Sequence, residues 1–420
     1  MAESSNQSTA VPGGKSAVWR WVLGLAAGGV LWFDASSGLT TAILWISGLY
    51  ALWNWRRTLA AWRNPAGILF GLGVLWALAS LAWSFNPAGS ARDLIKTMPM
   101  ALGVLAMPAV FDRPGRIWTA LVASAAMVTL VLAADLARLI AWLGWPWVLE
   151  AARFLHPYLY THPNVSSMMA GLCAMVFTAR WLAGAPGAGR KALLAAGILL
   201  DLAYMVVMAS RGPQIVFALA ALAAPVALLP GWRARLVAAV LAGVIGAGLW
   251  WGAGIVNPRF KDHTMGTFNH RDTVWGHARM LADQRPVLGY GFGKKAFHKA
   301  VYENSAQRAP LVPVRYPHPH SYWLMLYFQG GATGFLLWTL GWLLLGVRLG
   351  RYANRQCRAA AGWVARLRAR LLPALLGTGI AYILVYGLGD YPDHVIRHTL
   401  FYLAGLTMAL TVPPRPGAVL

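Results

Sequence analysis

Apolar runs long enough to cross a bilayer succeed one another along almost the whole of this chain, and this pattern excludes most folds. About twelve occur, at 18–33, 38–54, 65–83, 94–111, 117–134, 165–183, 191–209, 213–230, 233–256, 321–347, 371–389 and 395–412. Most approach the ~20 residues that a helix needs to cross ~30 Å of hydrocarbon, the first two being shorter. Backbone polar groups find no water in lipid and must pair within the segment, so the runs are expected to be helices. Leu139 to Leu149 is too short to cross and carries Trp142, Trp145 and Trp147, the pattern of a helix lying in the membrane interface. Composition points the same way: the chain is 58% hydrophobic and 12% charged, whereas about a quarter of a soluble domain is charged. The expectation is an all-α polytopic membrane protein with about twelve transmembrane helices and one large outer loop containing short helices.

Lys and Arg set the orientation, because short basic loops stay on the cytoplasmic side. With the N-terminus inside, the inner loops hold Arg56, Arg57 and Arg63; Arg113 and Arg116; Arg180, Arg190 and Lys191; Arg233 and Arg235; and seven arginines from Arg348 to Arg370. The chain then divides into a disordered cytoplasmic tail (1–17), nine spans (18–256), a large periplasmic loop (257–320), three spans (321–412) and a second cytoplasmic tail (413–420). In this topology all ten histidines fall on the outer face or at outer helix ends. The net charge of +23 is spread over many short loops, which excludes the single basic face of a nucleic-acid-binding protein. Cys173 and Cys357 have neither the number nor the spacing of a zinc site or disulfide framework. The start of the chain lacks the layout of a secretory signal.

The polar island from Asn257 to His320 carries the chemistry-bearing residues. Prolines 317 and 319 stiffen the approach to His320, which stands before an apolar helix, where a helix N-terminus keeps an imidazole neutral and able to accept a proton. His320 is the candidate general base, His318 a weaker competitor, and a purely helix-capping role stays open. Arg271, Trp275 and Arg279 recur every four residues and share one helical face, which can hold a diphosphate between two guanidinium groups or be a solvated surface. Outside the island, Ser210-Arg211-Gly212-Pro213 joins two apolar runs with almost no loop. A cation there either snorkels to headgroups or faces an anionic ligand. Asp390 and Asp393 are paired outer carboxylates that can orient a histidine or bridge to a basic residue, a weak metal signature. Asp201, inside a span, is expected to pair locally. Gly289-Tyr290-Gly291-Phe292-Gly293 lacks the strand of a phosphate-cradling loop and reads as a flexible turn.

The order of these pieces resembles a known family. The Ser-Arg-Gly helix end at 210–212, Arg271 four before Trp275, Asp283-Gln284-Arg285-Pro286-Val287-Leu288-Gly289-Tyr290-Gly291, His320-Ser321-Tyr322-Trp323-Leu324 and Gly330-Gly331-Ala332-Thr333-Gly334-Phe335 are similar to the bacterial O-antigen ligase family. Relatives of that family are the O-antigen polymerases and O-linked oligosaccharyltransferases; His162-Pro163-Asn164 is also similar to a motif of that superfamily. The resemblance implies a GT-C-like membrane glycosyltransferase moving a glycan from undecaprenyl diphosphate to lipid A-core oligosaccharide at the periplasmic face of the inner membrane. It implies Arg211 and Arg271 as donor diphosphate-binding residues and His320 as catalytic base, to which the shared helical face adds Arg279 as a further diphosphate-binding candidate. His162, Trp275, His318 and Asp390 are supporting candidates. No metal or other cofactor is expected, since arginines can stabilise the leaving diphosphate. The partners would be the lipid-linked donor, the lipid A-core acceptor and membrane lipids. Polymerase and protein-glycosylation branches remain alternatives, as does a transporter or flippase, although internal repeats and midplane charges expected of the latter are not evident.

Overall fold

The computed structural model describes residues 37–111, 113–144, 148, 162–184, 187–229, 231–256, 271–303, 316, 318–391 and 394–412; the run at 18–33 and both tails lie outside them. Among the described residues the chain is all-helical, with 14 α-helices, and eight helical segments are long and apolar enough to cross a membrane. It is an integral, polytopic membrane protein.

Local sequence chemistry explains where several helices begin. Pro65–Ala79, Pro87–Val110 and Pro163–Leu182 each have proline in the first turn, where its missing N–H costs nothing. The preceding residue supplies a side-chain cap: Asn64 Oδ1 accepts from Gly67 N at 3.2 Å, and Asn86 Oδ1 from Gly89 N at 3.0 Å. In the third helix His162 Nδ1 accepts from Asn164 N at 3.1 Å. One boundary differs from expectation. Helix Pro114–Leu143 runs unbroken for 30 residues until Gly144, at φ +72°, terminates it. Leu139 to Leu143, expected in a separate interfacial helix, therefore continue this segment because nothing before Gly144 breaks it. The interfacial piece beyond Gly144 lies largely outside the described residues.

Pro163–Leu182 is the central helix, packed against Pro114–Leu143, Ala188–Met208, Arg211–Leu228 and Trp363–Gly389. Small residues permit that crowding, as between membrane helices generally: a Cβ at Gly171 would come within 2.6 Å of the Tyr382 hydroxyl. Two acids are buried among these helices. Asp201 accepts from the Thr129 hydroxyl at 3.0 and 3.1 Å, the local pairing expected of it. Asp135 accepts from Tyr204 at 2.8 Å and Arg138 at 2.9 Å.

Tyr322–Ala359, 38 residues, is broken at Gly331, whose φ of 60° and ψ of −164° belong to a region essentially reserved for glycine. The break frees carbonyls, and the 286–291 turn takes them: Tyr290 N donates to Phe328 O at 2.9 Å and Gly291 N to Gln329 O at 3.0 Å. Trp76 Nε1 donates to Gly330 O at 2.9 Å. In return Ala332 N donates to Pro286 O at 2.6 Å. Tyr290 is buried and stacks on Phe328, with ring centroids 4.8 Å apart. Gly289-Tyr290-Gly291, expected as a flexible turn, is thus a plug fixed in the helix break, and it anchors helix Arg271–Gln284 to the bundle.

At the opposite end of the bundle, several arginines of the basic segment between 348 and 370 close helix ends. Arg348 donates to Thr411 Oγ1 at 2.6 Å and to its carbonyl at 3.0 Å. Arg370 donates to the carbonyls of Leu228 and Leu229 at 3.2 and 2.7 Å.

Candidate functional site

His320 precedes the broken helix by two residues. Ser321 is the N-cap, its hydroxyl accepting from Leu324 N at 3.3 Å. The His320 backbone has φ +49°, a left-handed conformation that costs a non-glycine residue ~1–3 kcal/mol and persists only when neighbours enforce it. Here two bonds do so. Its N–H donates to His318 Nδ1, and its carbonyl accepts from Trp275 Nε1, both at 3.3 Å. The His318 ring lies edge-on, 4.5 Å away between centroids. Held this way, the imidazole brings Nδ1 within 3.0 Å of Asp390 Oδ1.

Asp390 is the hub. It caps the C-terminus of Trp363–Gly389. Oδ2 accepts from the Tyr386 hydroxyl at 2.7 Å, the Asn164 amide at 3.2 Å and the Arg271 guanidinium at 3.4 Å. Oδ1 also accepts from the Tyr391 backbone N–H at 2.9 Å. Arg271 donates a second N–H to the Gly389 carbonyl. Burial by itself would raise the acid's pKa. The hydrogen bond from His320, the Arg271 charge and the Tyr386 hydroxyl outweigh it and hold the carboxyl well below the usual range. An ionised carboxylate on Nδ1 selects the tautomer with its proton there, which leaves the Nε2 lone pair free. The acid, more than the helix terminus, therefore equips His320 to accept a proton.

His318 is a different kind of histidine. Burial, with His320 and Lys294 adding like charge, pushes it down to about 3, so it is neutral in any ordinary buffer. Its Nδ1 is already engaged by the His320 amide. It fixes the backbone of its neighbour.

Arg211 opens helix Arg211–Leu228, and both flanking residues touch a partner of Asp390. The Ser210 hydroxyl donates to Asn164 Oδ1, and a Cβ on Gly212 would lie 3.3 Å from the Tyr386 ring. The guanidinium itself has no hydrogen bond or ion pair among the described residues.

Among the described residues, Arg279 and His162 make no contact of their own with the hub carboxylate. Arg279, 77% exposed in its side chain, pairs with Asp283 at 3.7 Å. It shares a helix with Arg271 and Trp275, but those two turn to Asp390 and His320. His162 caps its helix and holds Asn164, which makes the contact with Asp390. Asn164, Ser210 and Tyr386 join the hub without a sequence signal of their own. The first two stand inside quoted motifs, and Tyr386 lies one helical turn before Asp390, a spacing that puts both on one face.

Fold and site together define a polytopic membrane protein that presents a histidine–carboxylate pair, with Arg271 on the carboxylate and the helix end of Arg211 linked to it through Asn164, at one end of its helix bundle. Residues 196–339 match the family model described as O-Antigen ligase. This is a glycosyltransferase-type membrane family whose substrates are lipid-linked glycans. The match takes in Arg211, Arg271 and His320, while Asn164 and Asp390 lie outside it. No curated protein matches the chain.

Proposed function

We propose that this protein is an O-antigen ligase, transferring a glycan from undecaprenyl diphosphate to lipid A-core oligosaccharide at the periplasmic face of the bacterial inner membrane, in a GT-C-like bundle of about twelve spans. The observation that supports this most strongly is the 3.0 Å pairing of His320 with Asp390, with Arg271 on the same carboxylate and the Arg211 helix end joined to it through Ser210 and Asn164. In the reaction, an acceptor sugar hydroxyl loses its proton to His320 Nε2 as its oxygen bonds to the anomeric carbon of the donor. The bond from that carbon to the diphosphate breaks, and its electron pair leaves on the diphosphate. Arg211, with an uncommitted guanidinium, takes the diphosphate charge. Arg271 has further N–H donors beyond the two it gives to Asp390 and Gly389, and these complete the cradle. Asp390 stabilises the imidazolium that forms. Single displacement inverts the anomeric centre, and charge stabilisation by arginine makes the reaction independent of metal. Trp275 and His318 position His320, His162 positions Asn164, and Arg279 meets the donor only at the exposed rim.

The test offers purified protein an undecaprenyl diphosphate glycan together with lipid A-core, a free glycan and an acceptor protein, in chelator. The expected product is glycosylated lipid A-core, absent with His320→Ala or Arg211→Ala in protein that still inserts. Mass gained by the free glycan or by the acceptor protein instead reassigns the branch. Activity retained by His320→Ala removes the mechanism.

A further inference from the structure

A second feature of the molecule converges on the same hub from another side. A cavity of about 570 Å³ follows helix Pro65–Ala79, about 22 Å long at 1.5 Å per residue, with Trp62 and Arg63 at one end and Ser80 at the other. Its walls are apolar and come from that helix, from Pro87–Val110, from the first part of Tyr322–Ala359 and from His394–Thr411. Pro163–Leu182, Ala188–Met208, Arg211–Leu228 and Trp363–Gly389 contribute nothing to it. The cavity thus lies away from the helices that carry Asn164, Arg211 and Tyr386.

The end nearest the hub is cationic. Arg397 lines it and lies over the Tyr391 ring, at 5.2 Å from the centroid, donating Nη1 to the Tyr391 hydroxyl at 3.1 Å. Its Nε is buried without a hydrogen-bond partner. Leaving a buried charged donor unsatisfied is costly, and a cation at that depth ordinarily faces an anionic ligand or water. Lys294 Nζ lies over the same ring at 5.5 Å. Tyr391 also connects the cavity to the chemistry, since its ring is 4.9 Å from His318 and its N–H is bonded to Asp390. At ~30 Å³ for each water-sized group the cavity has room for about 20 such groups, as many as a fatty acyl chain contains.

Resting on the function proposed above, we propose that this cavity seats an acyl chain of the acceptor lipid, with an acceptor phosphate against Arg397. Transfer then runs between two lipids approaching from separate faces, the donor along the Arg211 helix and the acceptor along Pro65–Ala79, whose saccharide meets His320 across Tyr391. A hydrocarbon chain satisfies the apolar walls, and a phosphate satisfies the buried Nε, which neither a free glycan nor a polypeptide acceptor would do together. The arrangement makes anchorage of the acceptor a determinant of specificity.

Gly71 gives the means of testing this, because it lines the cavity and a Cβ added there meets nothing within 4 Å. The experiment uses the full chain in nanodiscs with lipid A-core bearing a diazirine on an acyl chain, and compares native protein, Gly71→Leu, Gly71→Trp and Arg397→Gln. Photolabel is expected on Pro65–Ala79 and Pro87–Val110 in native protein and is lost from both Gly71 variants. In parallel, KM for lipid A-core rises about tenfold in these variants, the worth of roughly two buried methylenes. The KM for the donor, and transfer to a deacylated, water-soluble core oligosaccharide, stay as in native protein. Arg397→Gln is expected to raise the KM for bisphosphorylated lipid A-core more than for its dephosphorylated form. Label on Ala188–Met208 or Arg211–Leu228, or equal loss with the acylated and deacylated acceptors, overturns the proposal. If native protein glycosylates neither acceptor the ligase function fails, while the labelling pattern still decides the cavity's occupant.

Discussion

Asp390 and Asp201 are both buried acids, one at the end of a helix and the other within a span, and their surroundings separate chemistry from architecture. Asp390 receives hydrogen bonds from His320, Arg271, Asn164, Tyr386 and the Tyr391 amide, the first three drawn from separate stretches of chain and the last two from its own. Asp201, fully buried, is met by the hydroxyl of Thr129 among the described residues. A carboxylate surrounded by so many donors is locked in its ionised form and in one orientation, which a catalytic histidine requires of its partner. One with a single neutral donor joins two helices and has no means of orienting a base.

The comparison is broken most directly by neutralising each acid in turn. Asp390→Asn is expected to lower kcat about 10³–10⁴-fold, because the amide presents the wrong partner to Nδ1. Asp201→Asn, which preserves an acceptor for Thr129, is expected to leave turnover within about twofold. Comparable losses in the two variants, measured as initial rates on matched amounts of inserted protein, would remove the distinction. A smaller effect follows at the edge of the hub. Asn164→Ala removes a hydrogen bond to a charged group, worth about 1.5–3 kcal/mol, and kcat should fall roughly tenfold or more with the donor KM little changed. Because Asn164 also receives the Ser210 hydroxyl, Ser210→Ala tests whether the Arg211 helix end and the base are coupled, and its loss should not add fully to that of Asn164→Ala.

Stability offers a subtler test. The folded pKa of Asp390 lies below its unfolded value of ~3.9. Its contribution is therefore complete above the unfolded value and is lost as pH falls through the folded one. Thermal unfolding in detergent from pH 7 down to pH 3 should show a steeper acid decline in native protein than in Asp390→Asn. Far from the chemistry, Gly331→Ala would force a side chain into a glycine-only conformation with the Val287 carbonyl carbon 2.3 Å from its Cβ. It should cost at least ~1–3 kcal/mol, expel the 286–291 turn, and expose that segment to proteolysis. The smallest effect belongs to Arg279→Ala. Its exposed pair with Asp283 is worth ~0–1 kcal/mol, and turnover should stay within about twofold.

Much of this molecule was legible in the order of its residues. The helices follow from apolar runs bounded by Asn-Pro and His-Pro starts, because helix formation in lipid is compelled by the backbone's own need for partners. The local motifs were also visible, and so was the division of His320 from the arginines that flank it in the chain. Two of the motifs had a meaning that spacing could not convey. Gly289-Tyr290-Gly291 has the composition of a mobile turn, but its donors meet carbonyls released forty residues further on by Gly331. Arg279 repeats the spacing of Arg271 and Trp275, but a shared helical face does not specify which members of it reach a neighbour.

What the chain alone decided was the set of helices, their ends and the chemical kinds of side chain held near those ends, since these depend on hydrophobic period, proline and caps acting over a few residues. Tertiary structure decided which ends meet. Asn164 and Asp390 are separated by 226 residues and Arg271 and Asp390 by 119, and no local rule brings them together. The packing of Pro163–Leu182 against Trp363–Gly389 brings Asn164 to Asp390, because helix crossings are fixed by the small residues and ridges on their faces, and the 286–291 turn seated in the break at Gly331 holds the helix that carries Arg271 against the bundle. Tertiary structure thus adds Asn164, Arg271 and His320 to the Tyr386 hydroxyl and Tyr391 N–H that the same stretch of chain supplies, a set that distinguishes this carboxylate from Asp201.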